Sequence, residues 1–142
     1  MTKTSAQRGH LLRAHTADEI LEAWGPTREA CLEEAVLALA DSIVEVDLIT
    51  WWWHEEVELA GTDEEMLVAL LEEVIYRLDT DGAVPVVVAV RPHGDHLLAH
   101  LWMTDLHRVT PVGAAPKGIS YSGVEIHEQH PGRWACTATV DV

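Results

Sequence analysis

The stretch HTADEILEAWG, residues 15–25, decides how this chain folds. Its first four residues favour a turn, because His, Thr and Asp side chains bond nearby backbone groups. From residue 19 onward the positions alternate as in a strand, and Gly25 followed by Pro26 ends the alternation. Asp18 therefore stands where the turn opens into the strand, which places a carboxylate at the rim of the predicted sheet.

A second carboxylate lies at the far end of the chain, in a strand predicted over residues 132–142. Alternation along this strand turns Asp141 towards its wetter face. If this strand lies beside the Asp18 strand, the two carboxylates and the carboxylate after Val142 would crowd together. Such a cluster is unfavourable unless a cation binds or a proton is taken up, and oxygen ligands favour calcium, magnesium or manganese. On spacing alone, a turn residue and a solvated chain end are the simpler interpretation.

Two helices are indicated by their caps and apolar spacing. Pro26 and Thr27 open the first, which runs to about Ile43, with Glu33, Glu34 and Asp41 off its apolar stripe. The second begins with a Thr62–Glu65 capping box, carries a continuous apolar stripe, and closes at Asp81-Gly82.

Strand patterns separate and follow the two helices. Extended structure is predicted over residues 45–60, a hairpin over 84–91 and 97–103, a loop over 109–116, and a further strand over 119–127. We therefore predict an α+β fold with the two main helices on one side of a mixed or antiparallel sheet. A strand, a Thr cap and an acidic helix occur at 19–43 and again at 57–79, which suggests duplicated strand–helix units. Residues 1–9 are predicted to be a loose tail, and residues 10–142 a single domain.

Composition limits the function. With 24 acidic against 9 basic residues the net charge is −15, so phosphate backbones repel the chain and no direct nucleic-acid binding is expected. The polar first ten residues predict no secretory signal, and the longest apolar run cannot span a bilayer, which favours a cytoplasmic protein. Cys31 and Cys136 show no metal or redox spacing and are expected to be small buried apolar residues.

Other polar groups give weaker signals. Lys117 and Glu125 share one face of a strand but would be about 26 Å apart if it were straight; Gly118 and Gly123 could allow bulges. A solvated Lys on an amphipathic strand is the simpler interpretation. His93, His96 and His100 surround the hairpin turn, and zinc is conceivable there. However, no Cys or carboxylate joins them at a recognised ligand spacing, so they are expected to be exposed hairpin residues. No nucleophile elbow, phosphate-binding glycine loop or HExxH motif is present.

Taken together, these segments resemble the archease family, the protein cofactor of the tRNA-splicing RNA ligase. The matching pieces, in the family's order, are HTAD at 15–18 with AWG at 23–25, the Glu-rich first helix, YRLDTDG at 76–82, KGISY at 117–121 with GVEI at 123–126, and VDV at 140–142. The chain departs from the family at Glu19-Ile20, at Ser120, in the Trp51–Trp53 run, and in having no Phe.

The resemblance implies a divalent ion at Asp18 and Asp141, with Val142 as a further ligand. Calcium is expected in the isolated protein, with magnesium or manganese as alternatives. The resemblance also implies that Lys117 and Glu125 belong to the functional surface. Archeases promote guanylylation of the ligase's active-site histidine and its repeated turnover in tRNA splicing, and are not stand-alone enzymes. Two alternatives stay open: a small metal-dependent phosphoester hydrolase, and an acidic interaction domain without metal.

Overall fold

Two helices and two antiparallel sheets make up the structure, a computed structural model that describes residues 2–4, 7–15, 17–45 and 50–142. The elements are β1 (Thr2–Thr4), β2 (Gly9–His15), β3 (Asp18–Gly25), α1 (Arg28–Ile43), β4 (Trp53–Leu59), α2 (Asp63–Asp81), β5 (Ala83–His93), β6 (His96–Asp105), β7 (Gly118–His130) and β8 (Arg133–Asp141).

The strands divide between a five-stranded sheet in the order β1-β2-β3-β8-β7 and a three-stranded sheet in the order β4-β6-β5. Each helix contacts strands of both sheets, so the helices join them through a common apolar core. The predicted α+β class with two main helices is confirmed. The strands form two sheets instead of the single predicted one, because alternation identifies strands but does not say which strands pair.

The first helix shows where periodicity misleads. Thr27 caps α1 as predicted, its hydroxyl accepting from the Ala30 N–H at 3.0 Å. The helix contacts both sheets, so 13 of its 16 residues are buried. The buried set includes Glu33, Glu34 and Asp41, which lie off the apolar stripe.

The second helix follows its local signals closely. Thr62 and Glu65 form the predicted capping box, in which the Thr62 hydroxyl accepts from the Glu65 N–H and the Glu65 carboxylate accepts from the Thr62 N–H. Gly82 ends the helix in the left-handed conformation at φ 61°, which glycine adopts without strain. The predicted capping box, apolar stripe and end of this helix are confirmed.

The N-terminal segment differs from the prediction. Instead of belonging to a loose tail, Thr2–Thr4 pair with β2 as an edge strand. Arg8 forms ion pairs with Glu33 and Glu34 of α1. The polar composition of this segment did not indicate that Arg8 pairs with carboxylates buried on α1. Met1, Ser5 and Ala6 lie outside the described residues, as do residues 46–49 of the predicted extended segment and Thr16 of the opening turn.

The predicted hairpin and the predicted buried cysteines are both found in the structure. The β5–β6 hairpin forms, with His93 opposite His96 and Gly94 at φ 65° in the turn. Cys31 and Cys136 are buried free thiols, as expected. The Cys136 thiol contacts Cys31 and is buried, and both effects raise its pKa well above the ordinary value. Among the described residues no helix is long and apolar enough to cross a membrane.

Candidate functional site

Asp18 and Asp141 meet at one end of the five-stranded sheet, where β3 begins and β8 ends; we call this end of the two strands the Asp18–Asp141 edge. The β3–β8 register pairs Asp18 directly with Asp141, although the two residues stand near opposite ends of the sequence. Side chains opposite one another on antiparallel strands have Cβ atoms about 4.5–5.5 Å apart, and like charges so placed repel. Asp18 is half-buried and Asp141 is exposed, so the pair remains open to solvent on the Asp141 side.

The segment before β7 completes this edge. The Lys117 N–H donates to the backbone oxygen of Asp141 at 2.7 Å, and Gly118 lies opposite Asp141 in the β7–β8 register. The backbone of Lys117 is therefore held next to Asp141, and its side chain is exposed. Val142 follows Asp141 directly, so its backbone is adjacent to the same edge, and its side chain packs partly against the core.

Glu125 lies farther along β7, opposite Thr137. Between Ser120 and Glu125 the strand advances five residues, while its partner β8 advances two, from Thr139 to Thr137. This bulge shortens the predicted separation: four β8 residues from Asp141 to Thr137 span about 13 Å. The structure thus brings Lys117 to the aspartate pair and leaves Glu125 along the strand.

Lys117 also lines a groove against the end of α2. The groove has a volume of about 350 Å³, and Tyr76 and Asp79 lie on its helix side. Next to it, the Glu72 carboxylate accepts from the Ile119 N–H at 3.3 Å, which ties α2 to β7. Segments 76–82 and 117–121, which are distant in sequence, therefore form one surface.

The donor set of the Asp18–Asp141 edge fits a hard cation. Two carboxylates and a backbone oxygen are the ligands that calcium, magnesium and manganese prefer. The repulsion between two opposed carboxylates is the physical condition that a cation relieves. These donors cannot fill six to eight calcium positions, so water or a partner's oxygen atoms must supply the rest.

A second charged group, buried under the five-stranded sheet, was not anticipated from the sequence. The two ring nitrogens of His10 lie 2.8 Å from Glu34 Oε1 and from Asp41 Oδ2. Burial alone would lower the pKa of His10, but the hydrogen bonds and charges of Asp41 and Glu34 outweigh burial and raise it above 6.5. His10 occupies a buried position of β2, and its acidic partners are distant in sequence, so they could not be identified without the fold.

The pKa of Glu34 responds in the opposite direction. Burial alone would raise it, but hydrogen bonds and charges from His10 and Arg8 outweigh burial and hold it below 4.5. The neighbouring Glu33 accepts from the Val90 N–H at 2.9 Å and pairs with Arg91 at 3.1 Å. This buried charge network (Arg8, His10, Glu33, Glu34, Asp41 and Arg91) ties α1 to β2 and β5.

Among the hairpin histidines, His93 is exposed as expected, whereas His96 and His100 are half-buried. His100 lies opposite Glu56, and its Nδ1 is 3.0 Å from Nε2 of His54. No recognised ligand spacing stands in the sequence here, because β4 and β6 contribute the residues from separate segments.

Comparison with known proteins agrees with this architecture. A model of the Archease protein family matches residues 11–142. A Mycobacterium tuberculosis protein described as "Probable protein archease" is 36% identical over 142 residues, covering 99% of this chain and 78% of that protein. "Protein archease" of Pyrococcus furiosus is 31% identical over 135 residues, covering 90% of this chain and 94% of its own length.

Two solved structures share the fold. The solution structure of Methanobacterium thermoautotrophicum protein 1598 has a TM-score of 0.73 at 18% identity, covering 94% of this chain and 98% of that one. A Thermotoga maritima crystal structure, described as an archease and possible chaperone, has a TM-score of 0.65 at 19% identity, covering 92% and 94% of the two chains. At these identities the likeness concerns the fold alone.

Proposed function

The chain belongs to the archease family, and from that premise we propose that it is an accessory protein that activates an RNA ligase. In this proposal it promotes guanylylation of the ligase's active-site histidine and repeated turnover in tRNA splicing or RNA repair. It acts through a divalent ion held by Asp18 and Asp141, and is not a stand-alone enzyme. The observation that carries the proposal is the convergence of Asp18, Asp141 and Lys117 at one sheet edge.

The chain's own residues set the geometry of that edge. The β3–β8 register holds the two carboxylates in opposition, and Asp141 accepts the Lys117 N–H through its backbone oxygen, which leaves its side chain available to a ligand. When bound, a divalent ion would neutralise phosphate charge on the nucleotide. Lys117 presents an exposed ammonium beside the groove along α2, where it can contact either a nucleotide phosphate or an acidic residue of the ligase.

The charge of the chain supports a protein partner. At −15 it is attracted to the basic cleft that an RNA-binding enzyme must carry, which speeds encounter without any RNA contact. The same charge opposes direct binding of tRNA. The isolated protein should therefore leave the mobility of tRNA unchanged at physiological salt, and it should work in the presence of its ligase.

The decisive experiment measures the guanylylated ligase formed with GTP, a divalent ion and increasing amounts of this protein. Wild type should raise the yield of adduct, whereas Asp18→Ala and Asp141→Ala should remove most of that increase. Lys117→Ala should also reduce it, and Lys117→Arg should restore part of it. Asp95→Ala is the matched control, because Asp95 is an exposed carboxylate in the β5–β6 turn, away from this edge.

Two further measurements separate the alternatives. Calcium and manganese titrations should give modest affinity in wild type and none in Asp141→Ala; equal affinity in both proteins would remove the metal from the mechanism. Turnover of simple phosphoesters by the isolated protein, lost in Asp18→Ala, would instead identify a hydrolase. Adduct formation that does not respond to the wild-type protein at any concentration would refute ligase activation itself.

A further inference from the structure

A cluster of nitrogen and oxygen donors lies on the outer face of the three-stranded sheet, away from the Asp18–Asp141 edge. His54 and Glu56 are two residues apart on β4 and point to the same, exposed face. His100 lies on the neighbouring strand β6, directly opposite Glu56. Two strands that are separate in the sequence therefore place two imidazoles and a carboxylate together.

The distances within this cluster are close to those of a metal site. His54 Nε2 is 3.0 Å from His100 Nδ1, His100 Nδ1 is 4.0 Å from Glu56 Oε1, and all three ligand atoms lie within 4.8 Å of one another. Ligands about 2.0–2.1 Å from a tetrahedral zinc ion are roughly 3.3 Å apart. The two nitrogens already have nearly this separation, and the exposed Glu56 side chain needs only a small rotation.

Neighbouring side chains hold the imidazoles in place and leave one side open. The His54 ring stacks on His100 with centroids 5.2 Å apart and also contacts Trp102 at 4.9 Å. On the other side of His100 its strand partner is Ala89, whose methyl group cannot cover the cluster. Ring packing that fixes a ligand's orientation lowers the entropic cost of binding.

We propose that His54, Glu56 and His100 form a surface site for a zinc-class transition-metal ion. Imidazole nitrogens suit Zn²⁺, Cu²⁺, Fe²⁺ and Ni²⁺, whereas the oxygen donors at the Asp18–Asp141 edge suit calcium or magnesium. Three protein ligands leave at least one coordination position for water or a partner's ligand. Within the described part of the chain, this is the one set of three His, Cys, Asp or Glu side chains that converges in this way.

The site would also change the mechanics of the sheet. Among the described strands, β4 is an edge strand that pairs with β6 alone. Because His54 and Glu56 come from β4 and His100 from β6, a bound ion cross-links the edge strand to its neighbour. Local opening of edge strands is detected by hydrogen exchange, so metal binding should slow exchange of the β4 amides specifically.

The test uses the full chain without a histidine tag, titrated with Zn²⁺ by calorimetry and with Co²⁺ by visible absorption. Wild type should bind one Zn²⁺ per chain and develop the strong visible bands of a Co²⁺ ion with low coordination number. His54→Ala and His100→Ala should each weaken Zn²⁺ binding at least about tenfold, since each removes one of three ligands. Glu56→Gln should weaken binding less, because water can replace its oxygen.

His96→Ala is the matched control. His96 Nδ1 lies 4.0 Å from Glu58 Oε1, the same separation as in the His100–Glu56 pair. The proposed set does not include it, so this variant should bind Zn²⁺ as wild type does. Asp141→Ala should also bind normally, which separates this site from the proposed oxygen site.

Melting curves of the metal-free variants show whether each is folded, and β4 hydrogen exchange with and without Zn²⁺ gives a second readout in wild type. Zn²⁺ affinity that is unchanged in both His54→Ala and His100→Ala would overturn the site. Absence of Zn²⁺ binding in wild type would do the same, and would leave a simple hydrogen bond between the two imidazoles.

Discussion

His10 and His100 both face carboxylates, and their surroundings give them different roles. His10 is buried, and each of its ring nitrogens is 2.8 Å from a carboxylate oxygen. His100 is near the surface, and its Nδ1 meets another imidazole at 3.0 Å. An imidazole with both nitrogens engaged by carboxylates is a structural cation with no lone pair for a ligand. Within the described part of the chain, His54 Nε2 and His100 Nδ1 hydrogen-bond only to one another and can bind a metal instead. Burial and the number of carboxylate partners therefore decide the role of each histidine.

The largest expected difference between the two regions is in stability. His10→Ala should lower the free energy of unfolding by about 3–5 kcal/mol, because it leaves the buried Glu34 and Asp41 without their shared cation. His54→Ala, at an exposed position, should change it by no more than about 0.5 kcal/mol. Urea denaturation of both variants beside wild type measures the contrast. Equal losses in the two variants would show that the buried network does not anchor α1.

The next largest effect is expected in how the stability loss of His10→Ala depends on pH, compared with that of His54→Ala. Because the pKa of His10 is raised above 6.5, its contribution to stability is fully present below that pH and is lost as pH rises through its folded pKa. Because the pKa of Glu34 is lowered from 4.5, its contribution is present above that pH and is lost as pH falls through its folded pKa.

The stabilisation from the network should therefore be greatest between about pH 4.5 and 6.5. Denaturation of wild type and His10→Ala across pH 4 to about pH 9 should show their difference shrinking on the alkaline side. His54→Ala serves as the control and should keep the wild-type profile. A wild-type advantage that grows above neutral pH would contradict the assignment of His10 as the buried cation.

The smallest effect is expected at the solvent end of the network. Arg91 is 64% exposed, and its Nη1 contacts Glu33 at 3.1 Å. Arg91→Ala should cost less than about 1 kcal/mol, because exposed ion pairs contribute little and Glu33 keeps Arg8 and the Val90 N–H. Thermal unfolding measures this directly. A loss of stability as large as that of His10→Ala would show that solvent exposure does not determine how much these ion pairs contribute to stability.

Part of the candidate site was accessible from the sequence. Alternation placed Asp18 at the opening of its strand and Asp141 on the exposed face of the last strand, and both positions agree with the structure. The sequence does not specify that these two residues lie opposite one another, because the register of a strand depends on its neighbouring strands. Gly118 and Gly123 indicated that a bulge could form in this strand, but not how far it would shorten the distance between Lys117 and Glu125.

The sequence by itself determined what acts over a few residues: the Thr27 and Thr62 caps, the glycine end of α2 and the identity of most strands. These follow from backbone hydrogen bonds and side-chain spacing within one or two turns. Only the tertiary structure decided which charges are buried and which ligands meet. His10 reaches Glu34 across 24 residues, and His54 reaches His100 across 46. Such contacts depend on how sheets and helices pack, because periodicity gives the face of an element but not what that face will meet.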